Sequence, residues 1–169
     1  DINGGNTSNW ASRGSSSLSN DGTVLAVGAP DNADNGLNAG KASIFTYNTA
    51  SSSWIQVGND IKGQNAGDYF GISIKLSDDG SIVAIGANGV DENGNDSGQV
   101  QIFENIANVW TQVGSEINGV SEKDLSGSTI DLSGDGSILA IGAQLNDDNG
   151  EDSGHVRIFK NESGTWKQL

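Results

Sequence analysis

At 169 residues the chain fits one compact domain or a short array, and it is long enough to bury a core. Only 34% of the residues are apolar, while Gly (25 residues), Ser, Asn and Asp dominate, a balance that favours short strands and tight turns over long helices. The formal charge of -14 argues against nucleic acid and anionic membrane surfaces as partners and favours divalent cations, basic partners or plain solubility, and the lack of Cys excludes disulfides, thiolate zinc sites and iron–sulfur clusters. Apolar runs stay well short of the roughly 18 residues of a membrane-spanning helix, so no membrane insertion is expected. Asp1 is not followed by a basic n-region, and the chain reads as mature or excised.

In chain order, the first unit opens poorly. Ser15, Ser16 and Ser17 stand where apolar alternation would mark a strand, and the turn Leu18-Ser-Asn-Asp-Gly22 follows. The middle unit is the clearest. Ile72, Ile74 and Leu76 alternate with Ser73 and Lys75, the period-two pattern of a strand with one buried face. Asp78-Asp79-Gly80 then supplies side chains that bond their own backbone and a Gly that accepts positive φ. Ile82 to Ala87 is apolar on both faces, as in an inner strand covered from two sides. Val100 and Ile102 alternate with Gln99 and Gln101 into Phe103, and Val109-Trp-Thr-Gln-Val113 completes a fourth strand.

The third unit repeats each element, with strands expected over Thr129 to Leu132, Ser137 to Ala143, His155 to Phe159 and Thr165 to Leu169. Laid without gaps on Leu132 to Leu169, the stretch Leu76 to Val113 keeps 22 of 38 residues. Leu18, Leu76 and Leu132 each stand 22 residues before Gly40, Gly98 and Gly154, and Trp54, Trp110 and Trp166 recur at intervals of 56. Four antiparallel strands per period, repeated in tandem, predict an all-β fold of three β-propeller-like blades, over residues 1–59, 60–115 and 116–169, with no linker between them. Oligomerisation could complete the propeller. The alternative is a β-trefoil, for which a 56-residue period is long.

Phe70-Gly71 followed by Ile72 to Ala87, together with Gly28-Ala29-Pro30, Gly86-Ala87 and Gly142-Ala143, resembles the FG-GAP repeat of integrin-α-like propellers and many surface proteins. The resemblance covers essentially the whole chain. It implies propeller blades that mediate extracellular or cell-surface recognition and adhesion, often with calcium bound between the first two strands of a blade. Here that position holds only the short Leu-Ser-x-Asp-Gly turn, too tight to wrap an ion that needs six or more oxygens, so the family's metal site is not carried over.

A different acidic pattern lies between the second and third strands. Asp91, Asn93 and Asp96, and in the next unit Asp147, Asn149 and Asp152, place oxygens at alternating spacing around a Gly, which suits calcium and equally suits an ion-free Asx turn. Sequons at Asn6, Asn95 and Asn161 are candidate glycosylation sites. Trp54, Trp110 and Trp166 read as blade-packing residues before they read as sugar-stacking platforms, and Gly28, Gly86 and Gly142 as structural blade positions. The lone His155, aligned with Lys41 and Gln99, reads as an exposed strand residue, and no nucleophile–base set can be assembled.

The expected function is therefore a non-enzymatic extracellular structural or adhesive module, with a carbohydrate-binding lectin as the alternative. Glycans or surface proteins are conceivable further partners. Three blades are too few for a closed propeller. Val57 and Val113 are followed by Asp60-Ile61 and Glu116-Ile117, Leu169 stands at the same point of the period, and the sequence begins Asp1-Ile2. That phase predicts self-association head to tail, closing a ring or running on as a filament.

Overall fold

Three antiparallel sheets, one per sequence period, form in a computed structural model of the chain, which describes Ile2 and residues 14–169. The first sheet contains β1 (Ser16–Leu18), β2 (Val24–Ala29), β3 (Lys41–Asn48) and β4 (Ser53–Gln56), paired in chain order. Next comes β5 (Ile61–Lys62), which turns back onto β3. The second sheet repeats the plan with β6 (Ser73–Leu76), β7 (Ile82–Ala87), β8 (Gln99–Ile106) and β9 (Val109–Gln112), and β10 (Ile117–Asn118) turns back onto β8. The third holds β11 (Ser126–Leu132), β12 (Ile138–Ala143), β13 (His155–Glu162) and β14 (Thr165–Gln168). No helix occurs among the described residues.

These sheets are propeller-like blades, as the periodicity predicts. The β-trefoil alternative is not what forms. A trefoil closes its strands into one barrel, whereas here the strand ladders run within three separate sheets of five, five and four strands. First strands of successive blades pack side by side, β1 against β6 and β6 against β11.

The core lies between blades rather than inside any one of them. Ala26, Ala42 and Ile44 of the first sheet meet Phe70, Ile74, Leu76, Val83 and Ile85 of the second. Ala84, Val100 and Ile102, on the opposite face of the second sheet, meet Leu132, Leu139 and Ile141 of the third. That is why β7 is apolar on successive residues: Val83 and Ile85 face one neighbour and Ala84 the other. Each fully buried Val or Ile side chain contributes about 1.5–3 kcal/mol, so a blade is stable mainly through its neighbours.

Two elements depart from simple alternation. The serines before Leu18 do form β1, because their hydroxyls take up bonds to the next blade. The Leu76 N–H donates to Ser17 Oγ at 3.0 Å, and Ser15 Oγ donates to the Ile74 carbonyl at 3.4 Å. In β8 the polar face is not solvated. Gln99 and Gln101 are buried, and they satisfy one another: Gln101 Nε2 donates to Gln99 Oε1 at 2.7 Å and Gln99 Nε2 to Asn118 Oδ1 at 2.8 Å.

The Leu-Ser-x-Asp-Gly turns are closed the same way in each blade. Asp79 accepts from the Ser77 and Ser81 hydroxyls at 2.7 and 2.8 Å and from the Ser81 N–H at 2.9 Å. Successive turns are also strung together, since the Asn20 N–H donates to the Asp78 carbonyl and the Asp78 N–H to the Gly134 carbonyl, both at 2.8 Å. In the third turn the Ser133 hydroxyl, then the Ser137 N–H and hydroxyl, hold the Asp135 carboxyl at about 2, below its ordinary 3.8. A folded value below the unfolded one stabilises the fold above the unfolded pKa, and that contribution is lost as pH falls through the folded pKa. We expect the melting temperature to fall between about pH 4 and pH 2, and the fall to be shallower in Asp135→Asn, as thermal unfolding in a pH series would show.

Candidate interaction surface

Blade junctions are defined by three repeated contacts and by a fourth set of polar contacts that differs from blade to blade. The first unites the Phe-Gly and Gly-Ala elements of the sequence. Gly71, at φ +91°, places its carbonyl oxygen 2.0 Å from where a Cβ on Gly28 would stand. Gly127, at φ +84°, does the same to Gly86 at 2.1 Å. Both Gly28 and Gly86 are thus required by the close approach of the following blade's backbone. Gly142 occupies the same register in the third blade, and there the nearest atom to an added Cβ is Thr129 Oγ1 of its own sheet, at 2.3 Å.

Tryptophan makes the second contact. Trp110 Nε1–H donates to the Val57 carbonyl at 3.0 Å, and Trp166 Nε1–H to the Val113 carbonyl at 3.2 Å, each reaching back to the preceding blade. Trp54, in the first blade, packs edge-to-face on Tyr47 with ring centroids 5.4 Å apart.

The third contact is the loop between second and third strands. Asn93 Nδ2 donates to the Gly119 carbonyl at 2.7 Å, and Asn35 Nδ2 of the first blade donates to the Gly63 carbonyl at 2.9 Å. Within the loop, the Asp96 N–H bonds Asp91 Oδ1 at 2.8 Å while Asp96 itself sits at φ +54°. In the third blade the Asp152 N–H bonds Asp147 Oδ1 at 2.7 Å, with Asn149 exposed at the loop's tip. In the first two blades the loop thus reaches the next inter-blade segment through its Asn side chain. Among the described residues no group of three or more His, Cys, Asp or Glu side chains is arranged to hold a metal ion. Of the sequons, Asn6 lies outside the described residues. Asn95 is exposed with its amide donating to Asp96 Oδ2 at 2.6 Å, and half-buried Asn161 accepts the Gly164 N–H at 2.8 Å.

The fourth contact is ionic and polar. Asp60, just ahead of β5, accepts Lys41 Nζ at 2.7 Å and Ser43 Oγ at 2.6 Å. Burial works to raise its pKa, but the bonds from Lys41 and Ser43 outweigh it and hold the carboxyl low. At the equivalent places in β13 stand His155 and Arg157. His155 is not an exposed strand residue as its sequence position suggests: its side chain is 19% exposed, because this face of β13 packs toward the second blade. Arg157 donates to the Asn118 carbonyl at 2.7 Å and stacks 5.2 Å above the Phe159 ring. Burial lowers its pKa, and the Asp124 charge opposes the shift. Among the described residues, His155 Nε2 and Arg157 Nε are the buried side-chain polar atoms without a partner.

A cavity of about 220 Å³ opens between the 63–70 segment and β8, with Asp68, Glu92 and Glu116 in its lining. The Asp68 carboxylate is engaged by the Gln64 and Asn65 N–H groups at 3.2 and 2.8 Å.

Among the described residues the two outer faces of the array carry no such junction, and their apolar residues show it. Leu18 is 56% exposed on the leading face of the first blade, against 3% for Leu76 and 5% for Leu132. On the trailing face of the third blade, Val156 and Ile158 are 67% and 45% exposed, whereas Val100 and Ile102 are 0% and 1%. Sequence reasoning missed β5, β10 and the His155–Arg157 pair. The signal for the two short strands was present, as the Asp60-Ile61 and Glu116-Ile117 pairs repeat in phase.

Residues 62–103 match the family described as FG-GAP repeat. A comparison with curated protein sequences finds no match. Among solved structures, the chain is similar to a Bacteroides uniformis protein provisionally assigned as a 6-phosphogluconolactonase, with a TM-score of 0.59 at 19% identity over 89% of this chain and 38% of that one. It is also similar to Kuenenia stuttgartiensis hydrazine synthase, with a TM-score of 0.55 at 16% identity over 91% of this chain and 36% of that one. At these identities the likeness shows the fold alone, which is of the β-propeller type. The chain spans little more than a third of the length of either structure.

Proposed function

Built around an FG-GAP repeat, this chain is, we propose, a non-enzymatic extracellular structural and adhesive module whose blades join head to tail into a larger propeller or filament. The observation that carries this reading is the matched pair of open faces. Leu18 on one side and Val156 with Ile158 on the other are exposed at registers that are buried in each internal junction. A sheet face of this kind is stable when another blade covers it. The opposed polarity of the two faces makes the contact heterologous, so it closes a ring or propagates as a fibre.

Several features support an extracellular, non-catalytic role. FG-GAP repeats typically occur in extracellular and surface proteins, and no helix among the described residues is long and apolar enough to cross a membrane. The carboxylates around the 220 Å³ cavity face no Cys or His, and Asp68 among them is tied to backbone N–H groups. Indole N–H groups of Trp110 and Trp166 bond into blade junctions rather than toward solvent, which favours packing over sugar recognition.

Sedimentation velocity across a dilution series tests the proposal. A sedimentation coefficient that rises with concentration is the expected outcome. A monomer at every concentration opposes it.

A further inference from the structure

The cavity beside β8 lies within the junction of the first and second blades, and its lining carries Asp68, Glu92 and Glu116 but no Lys, Arg or His. Two side chains of its wall are more than nine-tenths buried, and each keeps one oxygen unpartnered. Asp68, 7% exposed, takes both the Gln64 and the Asn65 N–H on Oδ2, so its Oδ1 accepts no bond among the described residues. Gln101, 9% exposed, donates from Nε2 to Gln99 Oε1, and the row of amides from Gln101 through Gln99 to Asn118 leaves Gln101 Oε1 as its free acceptor end. Buried acceptors of this kind require a donor.

The next junction fills the equivalent place from within the chain. One period of 56 residues on, Asp124 stands where Asp68 stands and Arg157 where Gln101 stands. Asp124 receives the Ser121 N–H at 3.1 Å, as Asp68 receives N–H groups of its own segment, and it also receives Asn146 Nδ2 at 3.2 Å. The Arg157 guanidinium lies within reach of its charge. In the first junction Val90 replaces Asn146 and Gln101 replaces the arginine, so Asp68 lacks both the amide donor and the counter-charge. A cation on an aliphatic stem is what the fold itself places beside this aspartate.

The three carboxylates border one space without converging. Among the described residues no three His, Cys, Asp or Glu side chains are arranged around one metal ion, so the complementary cation carries its charges apart. Phe70 and Ala87, both 1% exposed, and Val90 add apolar surface to the lining, against which methylene groups pack. Glu92 and Glu116 are exposed at the rim. We propose that the cavity binds a linear aliphatic polyamine, with one ammonium at Asp68 Oδ1 and Gln101 Oε1, the methylene chain against Phe70, Ala87 and Val90, and a further ammonium toward Glu92 and Glu116. The formal charge of -14 draws such a polycation to the surface. This inference goes beyond the head-to-tail reading and is independent of it, because the site is complete within a single copy.

Isothermal titration calorimetry of the full chain with spermidine at low salt tests this. One saturable site per chain is expected, weakening as salt is raised. Glu92→Gln and Glu116→Gln, on exposed side chains that leave the fold intact, are each expected to lower affinity about threefold. Asp68→Asn, whose amide oxygen still accepts the Gln64 and Asn65 N–H groups, is expected to lower it about tenfold. Gln101→Arg, which copies the second junction, is expected to abolish binding. Glu151→Gln, an exposed acid of the third blade, is the control and is expected to change nothing. Losses no greater at the cavity than in Glu151→Gln mark a diffuse counter-ion atmosphere and overturn the proposal, as does the absence of a saturable heat. Equal affinity for calcium makes this a divalent-metal site, and equal affinity for Nα-acetyl-lysine amide makes it a subsite for protein side chains; either result overturns the polyamine assignment.

Discussion

Gly86→Ala is expected to destabilise the fold by about 2–3 kcal/mol, a fall in melting temperature of roughly 5–10 °C for a chain of this size. An alanine Cβ at this position stands 2.1 Å from the Gly127 carbonyl oxygen and 2.2 Å from Ser73 Oγ. Neither atom is free to leave, because Ser73 Oγ donates to that same carbonyl at 2.6 Å in the buried junction. Relief requires the second and third blades to separate, which loosens the cluster of Ala84, Val100, Ile102, Leu139 and Ile141 between them. Gly142→Ala is the matched control. The added atom there meets the Thr129 hydroxyl, a side-chain end that can rotate, and no carbonyl from a following blade, so the expected cost is about 1 kcal/mol or less. Equal losses at Gly86 and Gly142 in denaturant titrations would show that the glycine is retained for a reason local to its own strand.

Mixing two charged variants is expected to convert monomers into dimers and into nothing longer. Leu18→Lys places an ammonium on the leading face of the first blade, and Val156→Lys a second on the trailing face of the third. Both positions are more than half exposed, so each variant folds with little change in stability. Alone, each carries one damaged face, and burying an unpaired charge in the junction weakens association by about a hundredfold, close to 3 kcal/mol. In the mixture, the intact trailing face of the Leu18→Lys copy meets the intact leading face of the Val156→Lys copy, and the damaged faces, which repel one another, cap both ends. Light scattering coupled to size exclusion distinguishes this result from a two-fold symmetric contact, in which mixing would restore nothing.

Much of this architecture is written in the sequence because a repeat states its pattern more than once. The runs Ile82 to Ala87 and Ile138 to Ala143 are apolar on successive residues, and both become inner strands, β7 and β12. The Gly-Ala and Phe-Gly elements are legible as a motif. Their physical meaning, one blade's carbonyl lying against the next blade's glycine, needs coordinates, because it joins residues 43 positions apart, as in Gly28 and Gly71. Alternation misleads in β8, where the polar partners Gln99 and Gln101 are buried and bond each other instead of water. It fails again at β1, where serine hydroxyls replace apolar contacts by bonds to Ile74 and Leu76. Two-residue strands such as β5 and β10 lie below the reach of any periodicity, and only the recurrence of an acid and an Ile marks them. The alternating Asp and Asn of the 91–98 loop has the spacing of oxygen ligands, and spacing alone does not tell that the Asp96 N–H bonds Asp91 Oδ1 across the loop or that Asn93 reaches the Gly119 carbonyl.

Negative-stain electron microscopy of the purified chain at high concentration bears most directly on whether these blades continue from copy to copy. Rings or filaments with a regular axial repeat of three blades are the predicted result, lost in Val156→Lys. Uniform isolated particles the size of a single chain would contradict it.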